Sequence, residues 1–146
     1  MARILNEGRQ EAVTGIASNS LDITSWNLVS LASGFIIETI ATGAIEGIAK
    51  TTNVFDSDNQ TVAKSEVVYV PNYGWLVVEI TTDATIAQAD VNSYFNMNTD
   101  QTVDVATKDA VKSTVNAAGV GTESVLTKQL KLVKIISSTL GAFEIV

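Results

Sequence analysis

Glu38, Glu46 and Glu79 fall within or beside segments rich in valine and isoleucine. Two carboxylates held about 5–10 Å apart can run glycoside hydrolysis, one as acid and the other as base or nucleophile. Nothing in the spacing of these three singles out a pair, and on the outer face of a strand they are ordinary solvated residues. Asp56-Ser-Asp58-Asn-Gln60 opens like a calcium loop. Such a loop needs glycine at its sixth position and glutamate at its twelfth, where this chain has Thr61 and Val67. A solvated acidic loop is expected there. Gly119-Val-Gly121-Thr-Glu-Ser124 has the glycines of a phosphate cradle but lacks its Lys-Ser/Thr ending, so it reads as a flexible connector. Trp26, Tyr73 and Trp75 could stack on sugars through their flat faces. At strand spacing they read rather as core or interface anchors, with Tyr73 the most available to a partner.

The 146 residues include no histidine and no cysteine. Imidazole bases, His-ligated zinc, thiol nucleophiles, iron–sulfur clusters and disulfides are therefore excluded. Chemistry would have to rest on carboxylates, lysines, hydroxyls or a hard metal, and no arrangement above supplies it. The expectation is no enzyme and no cofactor.

The net charge of −7 is uneven. Residues 12–107 carry two lysines against eleven acids, leaving −9, whereas residues 108–146 carry five lysines against three acids, leaving +2. An acidic body repels phosphate backbones, so direct nucleic-acid binding is not expected. The longest apolar stretch, Leu28 to Ile37, is broken by Ser30, Ser33 and Gly34 and falls short of the ~20 residues that span a membrane. The start, MARILNEGRQE, lacks the apolar core of a secretory signal, which predicts a cytoplasm-like compartment of synthesis.

Valine, isoleucine and threonine make up about a third of the chain. These branched side chains favour a pleated sheet over a helix, so a mainly β domain is expected, either a small β-barrel or a β-sandwich. Residues 1–12 lack alternation and read as an extended N-terminal arm, with one domain over 13–146. Phe35 to Ile40 is apolar on both faces and predicts a strand buried on both sides. Ala44 to Lys50 predicts another, with Gly47 a bulge or close-approach point. Glu66–Val70 and Trp75–Ile80, joined by Pro71-Asn-Tyr-Gly74, predict a hairpin. Thr85-Ile-Ala-Gln88 has capping-box spacing and predicts a short helix over 86–91. Shorter strands are expected at Tyr94–Phe95 and Thr102–Ala106, and Lys108–Val115 is open to a helix. Leu126–Ile136 and Phe143–Val146 predict a C-terminal hairpin turning at Ser137–Gly141, its first strand either central or with its outer face against another chain.

Three segments carry a likeness to known proteins. They are Ala84-Thr-Ile-Ala-Gln-Ala-Asp-Val91 with Tyr94-Phe95, Gln101-Thr-Val-Asp104, and Thr127-Lys-Gln-Leu-Lys-Leu-Val-Lys-Ile135 with Phe143-Glu-Ile-Val146. Over residues 30–146 this resembles the head decoration (cement) proteins of tailed bacteriophages and related small virion structural proteins. The resemblance implies a small β domain on the outer head of a virion, made in the host cytoplasm and often trimeric. Its partner would be the major capsid protein, whose neighbouring subunits it would clamp against the pressure of packaged DNA. An arm without a core of its own needs a partner, which marks Arg3, Ile4, Leu5 and Arg9 as contact residues beside Tyr73. The alternative is a tail-tube, fibre-associated or glycan-binding module, and a carboxylate hydrolase ranks last.

Overall fold

The computed structural model describes residues 2–5, 12–17, 22–39, 43–53, 66–74, 76–114 and 126–146. The chain is mainly β, with two antiparallel sheets stacked as a sandwich and no closed barrel. The first five strands are β1 (Ala2–Ile4), β2 (Val13–Ile16), β3 (Leu28–Ala32), β4 (Phe35–Glu38) and β5 (Gly47–Ala49). Next come β6 (Glu66–Pro71), β7 (Val77–Thr81), β8 (Tyr94–Met97) and β9 (Val103–Asp109). The last are β10 (Ser113–Thr114), β11 (Leu126–Thr127), β12 (Leu130–Ser137) and β13 (Leu140–Ile145). One sheet runs β1-β7-β13-β12-β8-β9, the other β2-β6-β5-β3-β4, and β10 and β11 form a small ribbon.

Alternation along the strands builds two cores. Val78 and Ile80 of β7, Phe95 and Met97 of β8, Leu130 and Leu132 of β12 and Phe143 and Ile145 of β13 point inward, where they meet Leu28, Ile48 and Val70 of the second sheet. Phe95 and Phe143 pack edge to face with ring centroids 5.9 Å apart, a favoured aromatic geometry. The opposite face of the second sheet holds Val29, Ala49, Val67 and Tyr69 with Ala17, Ile23 and Ile36. That sheet curls until its edges touch at one parallel bridge, Ala17 to Ile36. Strands β5 and β6 are thus covered on both faces, which accounts for their lack of polar alternation.

Several expectations are corrected. Residues 2–4 do not stand apart from the domain as an arm, because β1 pairs with β7 (Ala2 to Ile80, Arg3 to Glu79, Ile4 to Val78) and Ala2 is buried. The main-chain groups along this edge of β7 would otherwise lack partners, so local composition yields to sheet pairing. Residues 66–80 are no hairpin. Strand β6 pairs with β2 and β5, while β7 pairs with β1 and β13, so Pro71–Leu76 carries the chain from one sheet to the other. The turn chemistry is as read: Asn72 Oδ1 accepts from Gly74 N–H at 3.1 Å, and Gly74 has φ +90°. Strand β4 is an edge strand with Phe35 exposed, not a doubly buried one.

The expected helix at 86–91 is a single 3-10 turn, Gln88–Asp90, and its cap is Asp90 Oδ2 accepting from Ala87 N–H at 2.7 Å. Lys108 and Asp109 continue β9, and β10 follows, where a helix was open. The C-terminal hairpin forms with a tighter turn at Ser138–Thr139, and β12 is central as expected. No helix among the described residues is long and apolar enough to cross a membrane.

Candidate functional site: an apolar hairpin tip and a strained tryptophan turn

Strands β3 and β4 reverse at Ser33-Gly34, whose φ values of 51° and 84° suit the two-residue turn that matches strand twist. The register runs from Val29 opposite Glu38 to Ala32 opposite Phe35. At the base, Leu28, Val29 and Ser30 are buried, and beyond it Leu31 through Phe35 are all exposed. Leu31 is 51% and Phe35 42% exposed. Ile16, 39% exposed, precedes the residue bridged to Ile36 and so adjoins this strand. Large apolar side chains exposed on and beside a sheet-edge strand are what soluble proteins usually avoid.

The hairpin base is locked by polar contacts. Ser30 and Thr39 share a hydroxyl–hydroxyl bond of 3.0 Å. Gln101, only 4% exposed, reaches across from the loop between β8 and β9. Its Oε1 accepts from Leu28 N–H at 2.8 Å and its Nε2 donates to Thr39 O at 3.2 Å. Gln129 makes a second crossing, accepting from Met97 N–H at 2.8 Å and donating to Gly43 O. Two buried glutamines therefore fix the hairpin-bearing sheet on its partner.

Just before β3, Thr24–Asn27 forms a tight turn closed by Asn27 N–H donating to Thr24 O at 3.1 Å. Glu38 Oε1 accepts from Thr24 N–H at 2.7 Å and from Asn27 Nδ2 at 2.8 Å. Ser25 N–H donates to Thr52 Oγ1 at 3.1 Å. The third residue of the turn is Trp26, with φ 70°. Its ring is partly exposed, and Lys50 Nζ lies 6.0 Å from the ring centroid, at the outer reach of a cation–π contact.

Of the contact residues marked out by sequence, Arg3, Ile4 and Leu5 lie along and just after β1, and Tyr73 lies at the crossover after β6. Arg3 pairs with Glu79 at 2.6 Å while its side chain stays 71% exposed, and Ile4 packs against its own core. Leu5 is half-buried, its N–H donating to Val77 O at 2.8 Å, and Arg9 lies outside the described residues. Tyr73 is 65% exposed at the crossover. It stands near Tyr69, whose hydroxyl is pushed up by burial first and then by Glu46 and Tyr73. Trp75, Asp56–Gln60 and Gly119–Ser124 also lie outside the described residues. Among the described residues, no three His, Cys, Asp or Glu gather as a metal site. The Ser33-Gly34 turn was available as a signal, since a Gly-containing dipeptide between apolar runs marks a hairpin. Trp26 in a left-handed turn and Gln101 as a clamp carried no local signal.

A charged pair ties the far edge of the first sheet. Asp90, 8% exposed, accepts from Lys108 Nζ at 2.8 Å as well as from Ala87 N–H. The bond from Lys108, with that from Ala87, holds its carboxyl below the ordinary range. A lowered folded-state pKa adds stability that is fully present above the unfolded value near 4 and is lost as pH falls through the folded value. Asp90→Asn is therefore expected to cost about 1 kcal/mol at neutral pH, modest because Lys108 is half exposed. Thermal melts should show the gap between wild type and variant closing as pH drops below about 4. A gap that widens in acid would contradict the assignment.

No family model matches the chain, and comparison with curated proteins and with solved structures likewise gives no match.

Proposed function

We propose that the chain is a non-enzymatic docking module of an assembled shell: a capsid decoration protein that binds the outer head and clamps neighbouring major capsid subunits, acting as a homotrimer. The observation that carries this reading is the β3–β4 tip. Its base is held rigid by Gln101, Ser30 and Thr39 while Leu31 and Phe35 remain exposed. A preorganised apolar anchor loses little freedom on binding.

The magnitudes favour multivalent use. Burying one leucine and one phenylalanine gains about 1.5–3 kcal/mol each. The rigid-body cost of association, about 4 kcal/mol or more, offsets much of this. One copy would therefore bind weakly, whereas three linked copies on a lattice gain avidity by orders of magnitude. A tail-tube or fibre-associated position would use the same tip. Electron cryomicroscopy of the native particle separates them: density for this sandwich is expected on the head exterior, with the 31–35 tip against the shell. Density on the tail would move the assignment there, and no density on any particle would end it.

A further inference from the structure

We infer that Trp26 is the stacking platform of a saccharide site, separate from the apolar hairpin tip and independent of the docking role. The backbone explains its conformation but not its side chain. Trp26 N–H donates to Ala49 O at 2.7 Å and Trp26 O accepts from Ala2 N–H at 2.9 Å, so the main chain here joins β1 to the second sheet. Those bonds fix φ at 70° at the third turn position, where glycine or asparagine is preferred. A bulky aromatic residue there is a true outlier, and such strain collects where function demands it. Among the described residues, the three other non-glycine residues with positive φ have local reasons. Ser33 sits in the hairpin turn, Asn92 is a tolerant type, and Gln101 is held by its two buried bonds.

The indole belongs to neither core cluster and is 37% exposed. A glycine would take this backbone conformation without strain, and the exposed part of the ring is what a ligand could use. The surroundings indicate the ligand's chemistry. Where segments 24–27 and 50–52 meet, the other exposed residues are Thr24, Lys50, Thr51 and Thr52, which carry hydroxyls or an ammonium. A protein hot spot wants apolar neighbours around its aromatic anchor, and the hairpin tip supplies that while this turn does not. A pyranose presents a C–H face to stack on an indole and a rim of hydroxyls for Lys50 and the threonines.

The full chain should be screened on an array of pyranose oligosaccharides, neutral and acidic, and the strongest ligand titrated by calorimetry. Wild type is expected to retain at least one ligand. Trp26→Gly should weaken that ligand by about tenfold or more, the scale of a lost aromatic stacking contact. Its Tm should fall by less than about 4 °C, because strain relief offsets lost ring contacts. Tyr73→Ala, at the crossover after β6 and not in this turn, should bind as wild type. The inference is overturned if no saccharide binds, if Trp26→Gly binds unchanged, or if its Tm falls so far that the ring must be holding the fold. It is also overturned if Trp26→Gly abolishes particle attachment while sparing sugar binding.

Discussion

Gly47→Ala is expected to cost about 3 kcal/mol or more, well beyond an ordinary surface change. Strand β5 lies between β3 and β6, and Gly47 pairs with Val29 on one side and Pro71 on the other. A Cβ at this position would sit 2.1 Å from Val70 O and 2.9 Å from Pro71 Cα. Both are backbone atoms, so no side chain can rotate away. The β5–β6 pair must part, and with it goes the floor under both cores, since Ile48 faces one and Ala49 the other. Chemical denaturation should show the midpoint falling sharply with its slope unchanged. A midpoint within error of wild type would mean that β5 does not lie against β6 in this way.

Gln101→Ala is expected to cost about 2–4 kcal/mol, because two buried backbone groups, Leu28 N–H and Thr39 O, lose their partner together. Alanine also inherits a backbone φ of 67°, which offers it no relief. The loss has a second signature. Amide exchange should accelerate at Leu28 and Thr39 more than within β12 and β13, because Gln101 ties the hairpin base to the other sheet. Equal acceleration everywhere would make Gln101 an ordinary core residue and not the positioner of the tip.

How far the fold was legible depended on whether a local rule agreed with the tertiary partner. Val77–Thr81, Val103–Asp109 and Leu130–Ser137 carry strand-forming residues along a sheet with one core face, and their strands lie near where alternation puts them. Pro71-Asn-Tyr-Gly74 has the residues of a turn, and a turn is there. Turn chemistry does not say whether the next segment pairs back or crosses to another sheet, because the apolar faces of β6 and β7 suit either. The N-terminal residues have no strand signature, and β1 exists because β7 offers it an edge. The capping signal near Thr85 found the right place but the wrong residue: Asp90 was the better acceptor, held there by Lys108.

The most informative mismatch is at Phe35. Apolar residues on both sides of 35–40 implied burial on both sides, yet β4 lies at the edge with Phe35 exposed on one face of the hairpin and Leu31 of β3 exposed on the other. Local composition there favours burial more than this edge position provides. The candidate site was thus half visible, as an unexplained excess of apolar residues, while the rigid base beneath it depended on Gln101 from 62 residues beyond Thr39.

The direct test of docking through this tip is co-sedimentation of the purified chain with undecorated heads, comparing wild type with the double variant Leu31→Asp, Phe35→Asp. Both positions are exposed, so the variant should melt within about 3 °C of wild type, as surface substitutions do. If the tip docks, wild type pellets with the heads and the double variant stays in the supernatant. A double variant that pellets at full occupancy would contradict docking through this tip.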